Sequence, residues 1–150
     1  MTIPGGPLNP LTLLTDGTPL LFTIDSSIAA KYREFEELST GYYGKYATFV
    51  CPAIPPGHTL RIRFGIQTDL VDYLDTYAYL FEGSTFVLGS ETLIGYDDDG
   101  GSGDYDVFEN TLLELPSGTL VPGQSYILEL TTYGDGDTGN VKVIADVVGA

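Results

Sequence analysis

Five carboxylates fall within ten residues at Asp97, Asp98, Asp99, Asp104 and Asp106. Gly100, Gly101 and Gly103 make the loop that carries them pliable. Carboxylates this close repel one another, and a hard cation that takes oxygen ligands relieves that repulsion. Ca²⁺ is therefore the cofactor these residues could hold. The spacing is not that of the helix–loop–helix calcium motif, which ends on a glutamate. Asp and Gly are also ordinary turn residues, so a plain solvated hairpin is the competing reading. A second acidic glycine loop places Asp135 and Asp137 between Gly134, Gly136 and Gly139. Asp69, Asp72 and Asp75 could join either loop if the strand ends cluster.

Nucleophilic and general-base chemistry finds little to work with. His58 is the only histidine and follows Pro55-Pro56-Gly57, which predicts an exposed turn. No Gly-x-Ser-x-Gly elbow offers it a serine. Cys51 is the only cysteine, so neither an intrachain disulfide nor a cysteine metal site can form. Its setting in Thr48-Phe49-Val50-Cys51 predicts a small core residue. The acidic residues lie in glycine loops, whereas catalytic acids need rigid, partly buried positions. The expectation is a protein that is not an enzyme.

The charge balance narrows the partners further. The chain has 21 acidic and 6 basic side chains, a net charge of −15. Phosphate-rich surfaces are bound by clustered Lys and Arg, so nucleic acid and anionic membrane are not expected partners. Arg61 and Arg63 are the nearest approach to a basic cluster, on one face of an expected strand. The N-terminus has neither the basic start nor the apolar stretch of a signal peptide. Eleven tyrosines, with no tryptophan, could form an aromatic contact platform. The candidates are Tyr73, Tyr77, Tyr79, Tyr96, Tyr105, Tyr126 and Tyr133, with cross-strand pairing on a sheet face as the other reading.

The elements that would position these residues are strands. Residues 59–66 alternate, with Leu60, Ile62, Phe64 and Ile66 on one side and Arg61 and Arg63 on the other. That pattern marks a strand with one wet face. Further strands are expected at 18–25, 46–51, 75–81, 107–115, 125–133 and 140–148, each bounded by turn residues, with one or two short strands over 86–96 broken near Gly89. About eight such strands predict an all-β antiparallel sandwich, jelly-roll-like, as one domain over residues 11–150. The only helical spacing is Ile28, Tyr32 and Phe35, which predicts at most one short helix over 27–38. Residues 1–10 hold three prolines and two glycines and read as an extended arm.

From Asp75 to Val148 the chain resembles the bacterial pre-peptidase C-terminal domain. The matching stretches are Asp75-Thr-Tyr-Ala-Tyr-Leu-Phe81, the Asp97–Gly103 turn, Leu112-Leu-Glu-Leu-Pro116, and Gly123-Gln-Ser-Tyr-Ile-Leu-Glu-Leu130. The resemblance implies a small non-catalytic sandwich of the kind appended to secreted hydrolases, some of which bind polymers or calcium. Two functions then compete. One is a structural or decorating subunit of a virion surface or extracellular filament, built from copies of itself or docked by its arm on a protein partner. The other is a secreted or surface-attached module that recognises polysaccharide or protein.

Overall fold

The computed structural model describes residues 4–30, 32, 42–69, 74–87, 89–97, 108, 110–132 and 137–149. Nine strands form two sheets, and no helix occurs among the described residues. In chain order the strands are β1 (Leu11–Thr12), β2 (Leu20–Ile24), β3 (Gly44–Val50), β4 (Thr59–Ile66), β5 (Thr76–Glu82), β6 (Leu93–Asp97), β7 (Thr111–Pro116), β8 (Ser125–Thr132) and β9 (Gly139–Val148). One sheet runs β1-β3-β8-β5-β6 and the other β2-β9-β4-β7. Every pairing is antiparallel except the short β1–β3 contact. The chain is an all-β sandwich.

The core follows from the period-2 alternation of strand side chains. Leu60, Ile62 and Phe64 of β4, Val141, Val143 and Ala145 of β9, and Leu113 and Leu115 of β7 point inward from the four-stranded sheet. They meet Ala47 and Phe49 of β3, Ala78 and Leu80 of β5, and Tyr126, Leu128 and Leu130 of β8. Cys51 lies in this core, where burial pushes its thiol pKa up. One buried polar cluster ties the sheets together. Thr76 Oγ1 of β5 donates to Asn110 Oδ1 at 2.9 Å and lies 2.8 Å from Thr111 Oγ1 of β7.

Three local expectations change. Residues 28–30 are not helical: Ala29 bridges to Tyr43, and the Ala30 amide donates to the Tyr42 carbonyl. Beyond residue 30 in that span, Tyr32 alone is described. Ile28 and Tyr32 still share one environment, because both pack on the outer face of the five-stranded sheet. The arm is a tight turn over residues 4–10, with Gly5 N–H bonded to Asn9 O. It lies along its own chain, where Tyr46 N–H donates to Gly5 O and Phe86 N–H to Pro7 O. Gly5 adopts φ +88°, and a Cβ there would stand 2.6 Å from Lys45 Cδ, so the docked turn favours glycine. Finally, of the one or two strands expected over 86–96, the part after Gly89 forms as β6 from Leu93, while Phe86 is drawn out of line to pack with Phe81 and Tyr46.

Candidate binding face

The outer face of the four-stranded sheet is the mixed, solvent-facing surface of the sandwich. Register fixes who stands beside whom. Arg61 is opposite Asp146 on one side and Glu114 on the other. Arg63 is opposite Ile144 and Leu112. Lys142 is opposite Leu21 and Gly65. Asp146 takes hydrogen bonds from Arg61 Nε at 3.3 Å and Nη2 at 3.2 Å, and stands 3.9 Å from Arg63. The Phe108 ring lies against both remaining cations, 4.5 Å from Lys142 Nζ and 5.7 Å from the Arg63 guanidinium carbon. The Asp69 carboxylate holds it from behind, accepting the Phe108 N–H at 2.6 Å.

This grouping is unusual for the composition. Three of the four described Lys and Arg residues lie on this one face, the exception being Lys45. With Asp146 and Glu114 counted, the face sums to +1 in a chain of net charge −15. Around the charges, Leu21 is exposed and Leu112 and Ile144 are half-buried, so the face also offers apolar area.

The opposite outer face, on the five-stranded sheet, is largely closed by the chain itself. Tyr77, Tyr79 and Phe81 of β5, Tyr46 of β3 and Ile127 of β8 point away from the sandwich core and are nevertheless buried. Phe86 and Tyr32 cover them, with Tyr32 meeting Tyr79 and Phe81 edge-on at 5.0 and 5.1 Å. Glu129 of β8 sits within this aromatic layer at 0% exposure. Its Oε2 accepts the Tyr46 hydroxyl at 2.5 Å and the Tyr32 N–H at 2.9 Å. An open groove of about 390 Å³ remains at one end, between residues 12–15 and the end of β3.

The structure distributes the sequence candidates unevenly. Asp98, Asp99, Asp104 and Asp106 lie outside the described residues. Asp97 ends β6, and its Oδ2 accepts the Leu112 N–H of β7 at 2.9 Å, so it serves as a tie between sheet rims. No group of three or more metal-ligating side chains occurs among the described residues. His58 turns back on its own loop, with Nδ1 3.3 Å from Pro56 O, and Gly57 supplies the positive φ that the turn needs. Of the tyrosines, Tyr77 and Tyr79 are buried in the outer aromatic layer and Tyr126 in the sandwich core, and Tyr96 is exposed beside the first two. Tyr73, Tyr105 and Tyr133 lie outside the described residues. The alternation of β4 had marked Arg61 and Arg63. Lys142 and Phe108 join them only through strand pairing and loop placement, which the local pattern does not encode.

No family model matches the chain, so its likeness to the pre-peptidase C-terminal domain rests on short motifs alone. No curated protein matches it either. Among solved structures, one from work on the promiscuous specificity of carbohydrate-binding modules of the β-sandwich superfamily superposes with a TM-score of 0.40 at 15% identity. The match covers 89% of this chain and 54% of that one, so the chain spans about half its length. A likeness at this level extends to neither ligand nor site residue.

Proposed function

We propose that this chain is a non-catalytic binding module whose contact surface is the outer face of the four-stranded sheet. One observation carries the reading: among the described residues, the chain covers one outer face with its own side chains and leaves the other partly exposed, and that second face gathers its scarce cations. Mixed charge set among partly exposed apolar groups suits a contact surface that desolvates at its centre and stays polar at its rim. The charges there would set register and orientation more than raw affinity. Calcium at Asp97, Asp98, Asp99, Asp104 and Asp106 is a separate proposal, with a melting curve in calcium against one in chelator as its test.

The face is tested by selecting peptide binders against the intact protein and re-measuring each on an Arg61→Glu/Lys142→Glu variant. Binders should lose affinity at least tenfold on the variant. Binders that hold equally well on a folded variant would place the contact surface elsewhere.

A further inference from the structure

We infer that Arg63 and Lys142, gathered on Phe108, form a subsite for one carboxylate of an acidic segment in a protein partner. The inference rests on the binding face proposed above and names the chemistry that face would recognise.

The geometry begins with register. Arg63 pairs with Ile144 and Lys142 with Gly65, so the two cations are diagonal neighbours on adjacent antiparallel strands. Diagonal positions stand about 7–8 Å apart, within reach of two long side chains. Gly65 contributes no side chain at the intervening position, and the Phe108 ring meets both cations. Two like charges drawn to one ring repel each other unless an anion sits between them.

The neutralisation of these cations is incomplete. Arg61 holds Asp146 with two hydrogen bonds, while Arg63 reaches the same carboxylate only at 3.9 Å. Among the described residues, Arg63 Nε is buried without a hydrogen-bond partner. Among the described residues Lys142 forms no ion pair, and its one close partner is the ring. Carboxylates outnumber cations 21 to 6 in this chain, so cations left short of one are the exception. Arg63 keeps 21% of its side chain exposed, and a carboxylate bound to that exposed part and to Lys142 would complete the neutralisation.

The same charge balance selects the occupant. A polyanion, such as nucleic acid or a uronate polymer, would extend beyond the patch into the field of a chain carrying −15. A single Asp or Glu side chain meets the cations at contact range, where salt screens the remainder of the field within about 8 Å. Leu21, Ile144 and Leu112 beside the subsite give apolar area to the flanking residues of a peptide.

Titration of the intact, isotope-labelled protein with sodium acetate, followed by NMR at constant ionic strength, tests the subsite. Acetate should move the Lys142 side-chain and Phe108 ring signals saturably, and Lys142→Gln or Arg63→Gln should weaken that response at least tenfold. Amide spectra of both variants must match the parent, which separates loss of the subsite from loss of fold. Shifts no larger than chloride gives would overturn the inference. Tighter binding of inorganic phosphate than of acetate would overturn the choice of a carboxylate. If selected peptides lose binding to Leu21→Glu but keep it on Lys142→Gln, the face stands and the subsite fails.

Discussion

The two sheets of this sandwich share one core and present opposite outer faces, and those faces solve different problems. On the five-stranded sheet, β5 and β8 are buried on both sides, by the sandwich core within and by the Tyr32 and Phe86 layer without. On the four-stranded sheet, β4 and β9 are buried on one side and carry Arg61, Arg63, Lys142 and Asp146 on the other. The sequences differ accordingly. β5 reads Thr-Tyr-Ala-Tyr-Leu-Phe, buried at every one of these positions, whereas β4 alternates. A sheet covered on both faces reads as a continuous apolar run, and one open to water reads as period two. The closed face thus carries more of the packing, and the open one is the contact surface proposed above. Substitutions on the two should separate along that line.

The largest expected effect is on the closed face. Tyr79 is fully buried and packs with Tyr77 at 4.7 Å and with Tyr32 at 5.0 Å between ring centroids. Truncating a buried aromatic side chain costs about 3–5 kcal/mol through lost transfer energy and the cavity left behind. Tyr79→Ala should therefore lower the urea midpoint sharply, while Arg61→Ala, which removes a half-exposed ion pair, should cost about 1 kcal/mol or less. Similar losses for the two would erase the division between faces.

Glu129→Gln sharpens the comparison inside the closed face. The carboxyl accepts the Tyr46 hydroxyl and the Tyr32 amide at 0% exposure, and a hydrogen bond contributes about 0.5–1.5 kcal/mol. A loss in that range is expected by equilibrium denaturation. Glu129→Gln keeps an acceptor and only weakens the bond that Tyr46→Phe removes, so the double variant should cost less than the two single losses combined. Simple additivity would mean that Glu129 is held by something other than Tyr46.

The sequence made the strands legible where the two periodicities differ and obscured them where docking decides. β4 falls at residues 59–66, as its alternation predicts, and β2, β3, β5, β7, β8 and β9 lie within a few residues of the expected spans. β1 was not legible, because Leu11 and Thr12 carry no period and become a strand only against Ala47 and Thr48. The spacing of Ile28 and Tyr32 read as helical. It reflects a shared burial surface that a bridge and a strap also satisfy. Of the binding face, Arg61 and Arg63 were visible as one strand's wet side. Lys142 reaches them through the β4–β9 register, and Phe108 through the hydrogen bond from its N–H to Asp69. Long-range pairings of this kind leave no mark on the local pattern. Glu129 was equally silent, since a lone carboxylate in an apolar run gives no sign of which face it takes.

The smallest expected effect lies at the rim where the two sheets meet. Asp25 follows β2 of one sheet, and Lys45, which stands 3.6 Å from it, belongs to β3 of the other. Asp25 accepts hydrogen bonds from the Ser27 hydroxyl and the Ser27 N–H. Those bonds, the hydroxyl first, and then the Lys45 charge hold the Asp25 carboxyl below its ordinary value of 3.8. A carboxyl depressed in the folded state contributes stability that is complete above its unfolded pKa and is lost as pH falls through the folded one. Asp25→Asn is neutral at every pH and keeps an acceptor for Ser27, so it isolates the charge. The variant should melt slightly below the parent near neutral pH, and the gap should close in acid below the usual carboxylate range. Because Asp25 is half-exposed, water and salt screen the pair, and added salt should also narrow the gap. A gap that persists unchanged into acid would show that the substitution acts through the Ser27 turn and leaves the charged tie between the sheets without a role in stability.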